Sequence, residues 1–550
     1  MADIQFYLAS SLEKVFLTRR PRPLEEGTRV STWRGAHAAV QLVCEAAQGI
    51  PDKRFAVEVQ GAPCAVEIFE VAHVASELPI RADAMADDNY LAKEPGLFPD
   101  PLPKTETPTL RAIAGQCRAL WLRFEAAEDT QAGNYPITIC ARSQAGETHM
   151  CCFTLHIADA VLPRQTLIHT EWFHADCLAD YYRVEAWSEE HWRIVENFIA
   201  SASRHGINMI LTPVVTPALD TQVGGERTTV QLVDVTVTDG VYSFGFDKLR
   251  RWVDICRKHG VEYLEIAHPY TQWGAKAAPK VIATVDGVEK RIFGWDTPAT
   301  GEAYRTFLYA FIPALQSALA DMGVDREHVY FHISDEPNTE NMESYRAAKE
   351  QIAPLFEGYA VIDALSSVEF YHKGLVSHPI PSNNHIEPFI EAKVPNLWTY
   401  YCVSQAVDVP NRFFAMPSAR NRIMGVLLYL YNLKGFLQWG FNFYNSQYSL
   451  RHIDPWRTTD AGCAFPSGDA FLVYPGEQGE AVTSIRAEVQ DDALLDLRAL
   501  QALEAKIGRA AVEKIVYAQA PMQRMTFTDY PHDAQYLLNL REAVVKALED

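Results

Sequence analysis

Short runs in which apolar and polar residues alternate occupy much of the first 160 positions: RFAVEVQ (54–60), CAVEIFEVAHV (64–74), RALWLRFEA (118–126), YPITICAR (135–142) and CCFTLHIAD (151–159). A period of two over many short segments predicts strands with one buried face, and their number predicts a β-sandwich. Between the third and fourth runs, EDTQAGNYP (128–136) carries Gly133 and Pro136, the turn chemistry of a hairpin connection. DAVLPRQ (159–165) reads as a linker, and beyond it apolar runs alternate with stretches of helical period, the signature of a parallel α/β sheet.

Eight such runs are candidate strands: LIHTEWF (167–173), INMILTP (207–213), YLEIAHP (263–269), VYFHISD (329–335), YAVIDALS (359–366), PNLWTYY (395–401), GFLQWGFN (435–442) and AFLVYPG (470–476). Helical segments separate most of them. EEHWRIVENFIASASRHG (189–206) repeats its apolar residues at three and four, with Gly206 placed to end the helix. The fold class expected is therefore α/β: a TIM (β/α)8 barrel over 161–510, preceded by a β-sandwich domain over 1–160 and followed by a helical C-terminal extension over 511–550. TTVQLVDVTVTDGVYSF (228–244) reads as an inserted β-hairpin turning at Asp239–Gly240, and YLLNLREAVVKALE (536–549) as a helix packed outside the barrel.

Composition narrows the function. Seventy acidic against forty-nine basic residues give a net charge of −21, which repels nucleic acid and anionic membrane surfaces. No window reaches the ~18 apolar residues of a spanning helix. MADIQFYLASSLEKVFLTRRPRP at the start mixes charges into its apolar residues, so a cytoplasmic location is expected. The ten cysteines lack Cys-x-x-Cys spacing and read as buried free thiols. Histidines 174, 268 and 332 form no recognised ligand pattern, so neither metal nor other cofactor is expected.

Candidate chemistry sits where the predicted strands end, since barrel enzymes place their sites there. The first strand ends in Glu171, Trp172, His174 and Asp176; the third in Glu265, His268, Gln272 and Trp273; the fourth in Ser334, Asp335 and Glu336. The sixth carries Trp398, Tyr400 and Tyr401, and the seventh Gln438, Trp439, Asn442 and Tyr444, before Asp454 and Trp456. Aromatic rings suit the C–H face of a sugar, and acids and amides its hydroxyls. Asp335 is also placed to cap the helix expected near Asn338, but a cap does not require Glu336.

Adjacent carboxylates restrict the mechanism. A nucleophile and an acid/base ~5 Å apart on opposite sides of the bond usually come from different strands. Consecutive residues diverge instead, so one reaches the glycosidic oxygen and the other a substituent on the second carbon. If that substituent is an acetamide, its oxygen attacks C1 while Asp335 accepts the N–H and Glu336 protonates the leaving group.

In these residues the chain resembles glycoside hydrolase family 123, the β-N-acetylgalactosaminidases. The resemblance runs through LWLRFEAAEDTQAGNYPITI (120–139), HISDEP (332–337), LWTYYC (397–402), LQWGFNFYN (437–445), DPW (454–456), YPG (474–476) and SIRAE (484–488). It implies that Asp335 and Glu336 are the catalytic pair, that Tyr400 orients the acetamide, and that Trp439 and Trp456 wall the −1 sugar pocket. Trp398, Asn442, Asp454, His268, Trp273, Glu171 and His174 complete the expected substrate-binding set.

Members of the family often carry an export signal. None is expected here, so a short imported oligosaccharide is the expected substrate, while TQWGAKAAPK (271–280) and FGWDT (293–297) look like subgroup features that narrow the pocket. The expected activity is that of a retaining exo-β-N-acetylgalactosaminidase on an N-acetylgalactosamine-containing oligosaccharide or glycoconjugate, with room for a homo-oligomer. The alternatives are a β-N-acetylglucosaminidase, a glycosidase using Glu265 or Glu171 as nucleophile, and a non-catalytic glycan-binding protein.

Overall fold

The computed structural model describes residues 3–550. Two antiparallel-rich sheets form the N-terminal region. One is built from Ile4–Ser10, Ala36–Ala46, Cys117–Ala126 and Ala65–Glu70; the other from Arg29–Arg34, Thr148–Val161, Gly133–Ser143, Lys53–Gln60 and Thr109–Ala112. Leu42, Leu122 and Phe124 of the first meet Phe55, Ile137 and Leu155 of the second in one core, as alternation demands of two stacked sheets. EDTQAGNYP is not a hairpin: it carries the chain from Cys117–Ala126 in one sheet to Gly133–Ser143 in the other. Turn residues mark a change of direction but not which sheet receives the next strand.

Eight parallel strands follow, numbered here β1 (Ile168–Glu171), β2 (Met209–Thr212), β3 (Tyr263–Ile266), β4 (Val329–Phe331), β5 (Ala360–Leu365), β6 (His378–Pro381), β7 (Trp398–Tyr400) and β8 (Gly435–Gln438). Their order, β6-β5-β4-β3-β2-β1-β8-β7, is a nearly closed barrel. The seam between β6 and β7 is held by a single bridge, Ser382 to Tyr400, and by the Thr399 hydroxyl donating to the Pro381 carbonyl at 2.9 Å.

This corrects the strand assignment. PNLWTYY and GFLQWGFN are the seventh and eighth strands, not the sixth and seventh. The sixth is HPIP (378–381), whose two prolines argue against a sheet interior. They are tolerated because Pro379 and Pro381 share a parity that turns them toward the sparsely paired seam, while His378 and Ile380 face β5. AFLVYPG is no barrel strand. Its Tyr474–Pro475 pairs with Ala481–Ser484, which pairs in turn with Pro101–Leu102, tying barrel to sandwich. An apolar run reports burial without naming its partner.

The inserted hairpin turns at Asp239–Gly240, both with positive φ, and joins a second hairpin, Val281–Phe293, in a four-stranded sheet. The C-terminal helix Ala534–Glu549 packs outside the barrel and against the sandwich: Arg541 reaches Asp492 and Asp496 on the helix Ile485–Ile507, and Glu542 accepts from Arg29 and Ser31. All ten cysteines are free, with Cys152 and Cys463 exposed rather than buried. Among the described residues, no helix is long and apolar enough to cross a membrane.

Candidate active site

After β4 the chain leaves the barrel through His332, Ile333 and Ser334, and the Ser334 hydroxyl fixes the exit by donating to the Thr271 carbonyl at 2.9 Å. Asp335 and Glu336 follow, half-buried in one cleft of about 210 Å³. The capping role falls elsewhere: the Asn338 side chain accepts from the Glu340 and Asn341 amides in a capping box, leaving Asp335 free. Glu336 stands at φ 41°, a left-handed conformation that turns its side chain toward β7, where the Tyr400 hydroxyl donates to Oε1 at 2.7 Å.

Neither acid has a cation within ion-pairing distance among the described residues. Burial in the cleft raises Asp335 well above the ordinary carboxylate range, reinforced by the charge of Glu336; burial raises Glu336 too, with the Tyr400 hydrogen bond opposing it. Two close acids with raised affinities share protons and titrate as a pair. Beneath them His332 lies between Glu265, at 2.7 Å from Nε2, and Asp363, at 3.3 Å from Nδ1. Burial opposes charge on this ring, yet the two carboxylates hold it up, to about 9. An imidazolium under the pair favours ionised Asp335.

Trp172, Ala364 and Leu437 line the cleft's apolar part, and Trp439 forms a wall, its indole N–H donating to Asp469 at 3.0 Å. Burial lifts Asp469 to about 7. At the mouth stand Trp273, Tyr448 and Asp220; burial brings the Asp220 carboxyl up to about 6, although it accepts the Tyr448 backbone N–H at 3.0 Å.

Of the predicted site residues, the structure brings Asp335, Glu336, Tyr400, Trp439 and Trp273 together in the cleft. Seven others lie elsewhere. Trp398 is one layer below Tyr400 on the same strand, about 7 Å down at two residues' rise, and lies so close to Gly435 that a Cβ there would clash at 2.0 Å. Glu171 has the wrong parity: Thr170 and Trp172 point inward to Glu265, so Glu171 points out, to Arg412 at 2.7 Å and Gln490. Burial would raise Glu171, but Arg412 and His169 hold it down, at about 2.

His174 accepts from Arg227 at 3.1 Å and donates to the Trp439 carbonyl at 3.0 Å, while Asn442 clamps its backbone from both sides. Trp456 donates to the Pro475 carbonyl at 2.8 Å and packs on Tyr474; Asp454 caps the Trp456 amide. His268 stacks on His332 with ring centroids 3.9 Å apart, and neither of its nitrogens has a partner. His268, His332 and Asp363 are near enough to share a metal ion, but His332 directs both nitrogens at carboxylates and keeps no lone pair for one.

The sequence reading missed Asp220, Tyr448, Gln447, Phe465 and Asp469. The signal available was positional: Asp220 belongs to the loop after β2, the one early strand end to which no residue had been assigned, and Tyr448 to the loop after β8.

No curated protein matches the chain by sequence. Among solved structures, a family 123 glycoside hydrolase from Clostridium perfringens, studied for glycolipid glycan hydrolysis, superposes with TM-score 0.75 at 13% identity, over 99% of this chain and 98% of that one. A family 5 xyloglucanase from Bacteroides ovatus reaches only 0.27 at 9% identity over 89% of this chain and all of its own. A FixG-related protein from Vibrio parahaemolyticus reaches 0.15 at 7% identity over 28% of this chain and 98% of its own. The family model described as "Glycoside hydrolase 123, catalytic domain" matches residues 172–503, more than half of the 550 residues. With its strand-end carboxylate pair inside the matched region, this chain belongs to glycoside hydrolase family 123 and is a glycoside hydrolase.

Proposed function

We propose that the enzyme is a retaining exo-β-N-acetylgalactosaminidase working by substrate assistance. The observation that carries this is the placement of two consecutive carboxylates in one small cleft with, among the described residues, no cation within ion-pairing distance of either. In the proposed reaction the substrate's acetamide oxygen attacks C1 as the C1–O bond to the leaving group breaks, and Glu336 gives its proton to the departing oxygen. Asp335 accepts the acetamide N–H, which favours its ionised form, moves the shared proton to Glu336 and stabilises the oxazolinium. Glu336, now a carboxylate, takes a proton from the water that opens the ring at C1, so configuration is retained and both acids return to their starting state.

A volume near 210 Å³, below the roughly 300 Å³ at which drug-sized pockets begin, suits one terminal sugar and hence exo action. The candidate nucleophiles Glu171 and Glu265 are fully buried against Arg412 and His332 and do not line the cleft, which disfavours a carboxylate nucleophile on either. The relative from Clostridium perfringens suggests glycolipid glycans as one source of terminal N-acetylgalactosamine.

A second reading uses Asp220, the remaining carboxylate lining the cleft among the described residues, as nucleophile. A thiazoline analogue of N-acetylgalactosamine separates the two, since it mimics the oxazolinium and should inhibit tightly only under substrate assistance. Nitrophenyl β-glycosides of N-acetylgalactosamine, N-acetylglucosamine and galactose test the sugar: the first should be fastest, and an enzyme faster on galactose than on both acetamido sugars overturns the mechanism.

A further inference from the structure

Behind the Trp439 wall lies a carboxylate that the proposed reaction leaves unused. Asp469 is fully buried and does not line the cleft, so it is out of reach of the sugar. Its two oxygens are divided. Oδ2 accepts the Trp439 indole N–H at 3.0 Å, while Oδ1 faces the Gln438 amide nitrogen at 3.4 Å, which also donates to the Asp469 carbonyl at 3.0 Å.

The backbone around it is built to hold one position. Arg486 donates to the Gly468 carbonyl at 2.9 Å and to the Phe471 carbonyl at 2.7 Å, gripping residues 468–471 at both ends. Facing them, β8 runs on through Trp439 to Gly440, where a Cβ would lie 2.3 Å from the Ala470 carbonyl oxygen; the two segments touch backbone to backbone. Arg412 fastens this second segment, donating to the Gln438 side-chain oxygen at 2.5 Å and to the Gly440 carbonyl at 2.7 Å. Each arginine pairs with another acid, Arg412 with Glu171 and Arg486 with Asp100, and among the described residues Asp469 has no ion pair.

Burying an acid without an ion pair is costly, and satisfying one indole N–H does not require an acid. The other contacts of the Trp439 ring are apolar: Phe443 and Phe465 meet it edge-on, with centroids 4.9 Å and 5.4 Å away. Such contacts hold a ring in place but direct it weakly, whereas a hydrogen bond to a carboxylate is directional and strong. We propose that Asp469 is a positioning residue for the proposed reaction: it fixes the rotation of the Trp439 indole, and thereby the ring face on which the terminal sugar packs. The inference rests on the function proposed above and adds to it the group that aims the wall of the sugar pocket. A sugar meets that wall before and during the reaction alike, so loosening the ring should weaken binding more than chemistry.

The test follows KM with whichever of the three nitrophenyl glycosides the wild type cleaves fastest, so that a wrong sugar changes the substrate and not the experiment. Asp469→Ala should raise KM about tenfold while kcat stays within about threefold. Asp469→Asn, whose amide oxygen still accepts the N–H, should recover most of that loss. Trp439→Phe has no N–H; it should raise KM by itself, and adding Asp469→Ala should raise it no further. Asp469→Leu, similar in size and without an acceptor, replaces Asp469→Ala should the latter not fold.

A purely structural role would lower Tm and the active fraction, and with it the apparent kcat, but leave KM in place. That result overturns the proposal, as does a KM that rises equally when Asp469 is removed from the wild type and from Trp439→Phe. The indole N–H proton resonance of Trp439, identified by its loss in Trp439→Phe, should move in Asp469→Ala with no substrate present; an unmoved resonance overturns the contact. A wild type that cleaves none of the three glycosides overturns the proposed function instead. Calorimetric titration with N-acetylgalactosamine then takes the place of KM: the same pattern in Kd keeps the role of Asp469, and its absence removes it.

Discussion

The barrel holds two kinds of carboxylate, and their surroundings differ in one respect. Glu171 and Glu265 are fully buried, each against a basic partner: Arg412 for the first, His332 for the second. Asp335 and Glu336 face a cleft and, among the described residues, have no cation within ion-pairing distance; the Tyr400 hydroxyl donates to Glu336. The partnered Glu171 is pushed down to about 2 and stays charged; the unpartnered pair is pushed up and is ready to exchange protons. On the proposed reading, the carboxylates with a buried cation belong to the framework and the pair of adjacent acids to the chemistry.

Exchanging charge for amide in each set should therefore give opposite results. The largest effect is expected for the cleft pair. Glu336→Gln should slow cleavage of unactivated glycosides by roughly 10²–10⁴-fold and that of activated aryl glycosides far less, whereas Asp335→Asn should slow both. Neither should lower the denaturation midpoint, because each relieves a repulsion. Equal losses on the two substrate types in Glu336→Gln would count against its role as acid.

Next in size is Glu171→Gln, which strands Arg412 in the core and should cost about 3–5 kcal/mol of stability, read by denaturant unfolding. The sign with pH is set by the direction of the shift. A folded value near 2 against an ordinary 4.5 means that the Glu171 contribution is complete above pH 4.5 and disappears as pH falls toward 2. The wild type should thus lose stability to acid more steeply than Glu171→Gln over that window; parallel curves would remove the distinction between the two sets.

The smallest effect is expected at Tyr400, whose hydroxyl donates to Glu336 of the cleft pair. Tyr400→Phe removes a hydrogen bond that favours ionised Glu336, so the carboxyl should hold its proton to higher pH. The basic limb of the kcat/KM profile should move upward, with roughly tenfold lower activity at its maximum. A limb that moves down, or stays, would show that Glu336 does not set it.

Much of this contrast was legible in the chain and part of it was not. Asp335 next to Glu336 is a covalent fact, and adjacency at a strand end already implies divergent side chains and divided roles. Asp239–Gly240 fixed a hairpin because a two-residue turn with positive φ needs little beyond those residues. Trp398 and Tyr400 look equivalent in sequence, however, and differ by one layer of the barrel; Glu171 looks like a site residue until the parity of β1 is known. The prolines of HPIP hid a strand that survives because the barrel's seam lies beside it.

By itself, then, the sequence determined the periodicities, the α/β order and the adjacency of the two cleft carboxylates, because these depend on neighbours a few residues apart. Only the tertiary structure decided which strand closes the barrel, which carboxylates meet a cation, and that Asp220 and Tyr448 stand opposite Trp273. Those depend on register and on contacts between loops more than 170 positions apart, such as Trp273 against Tyr448, which no local pattern encodes.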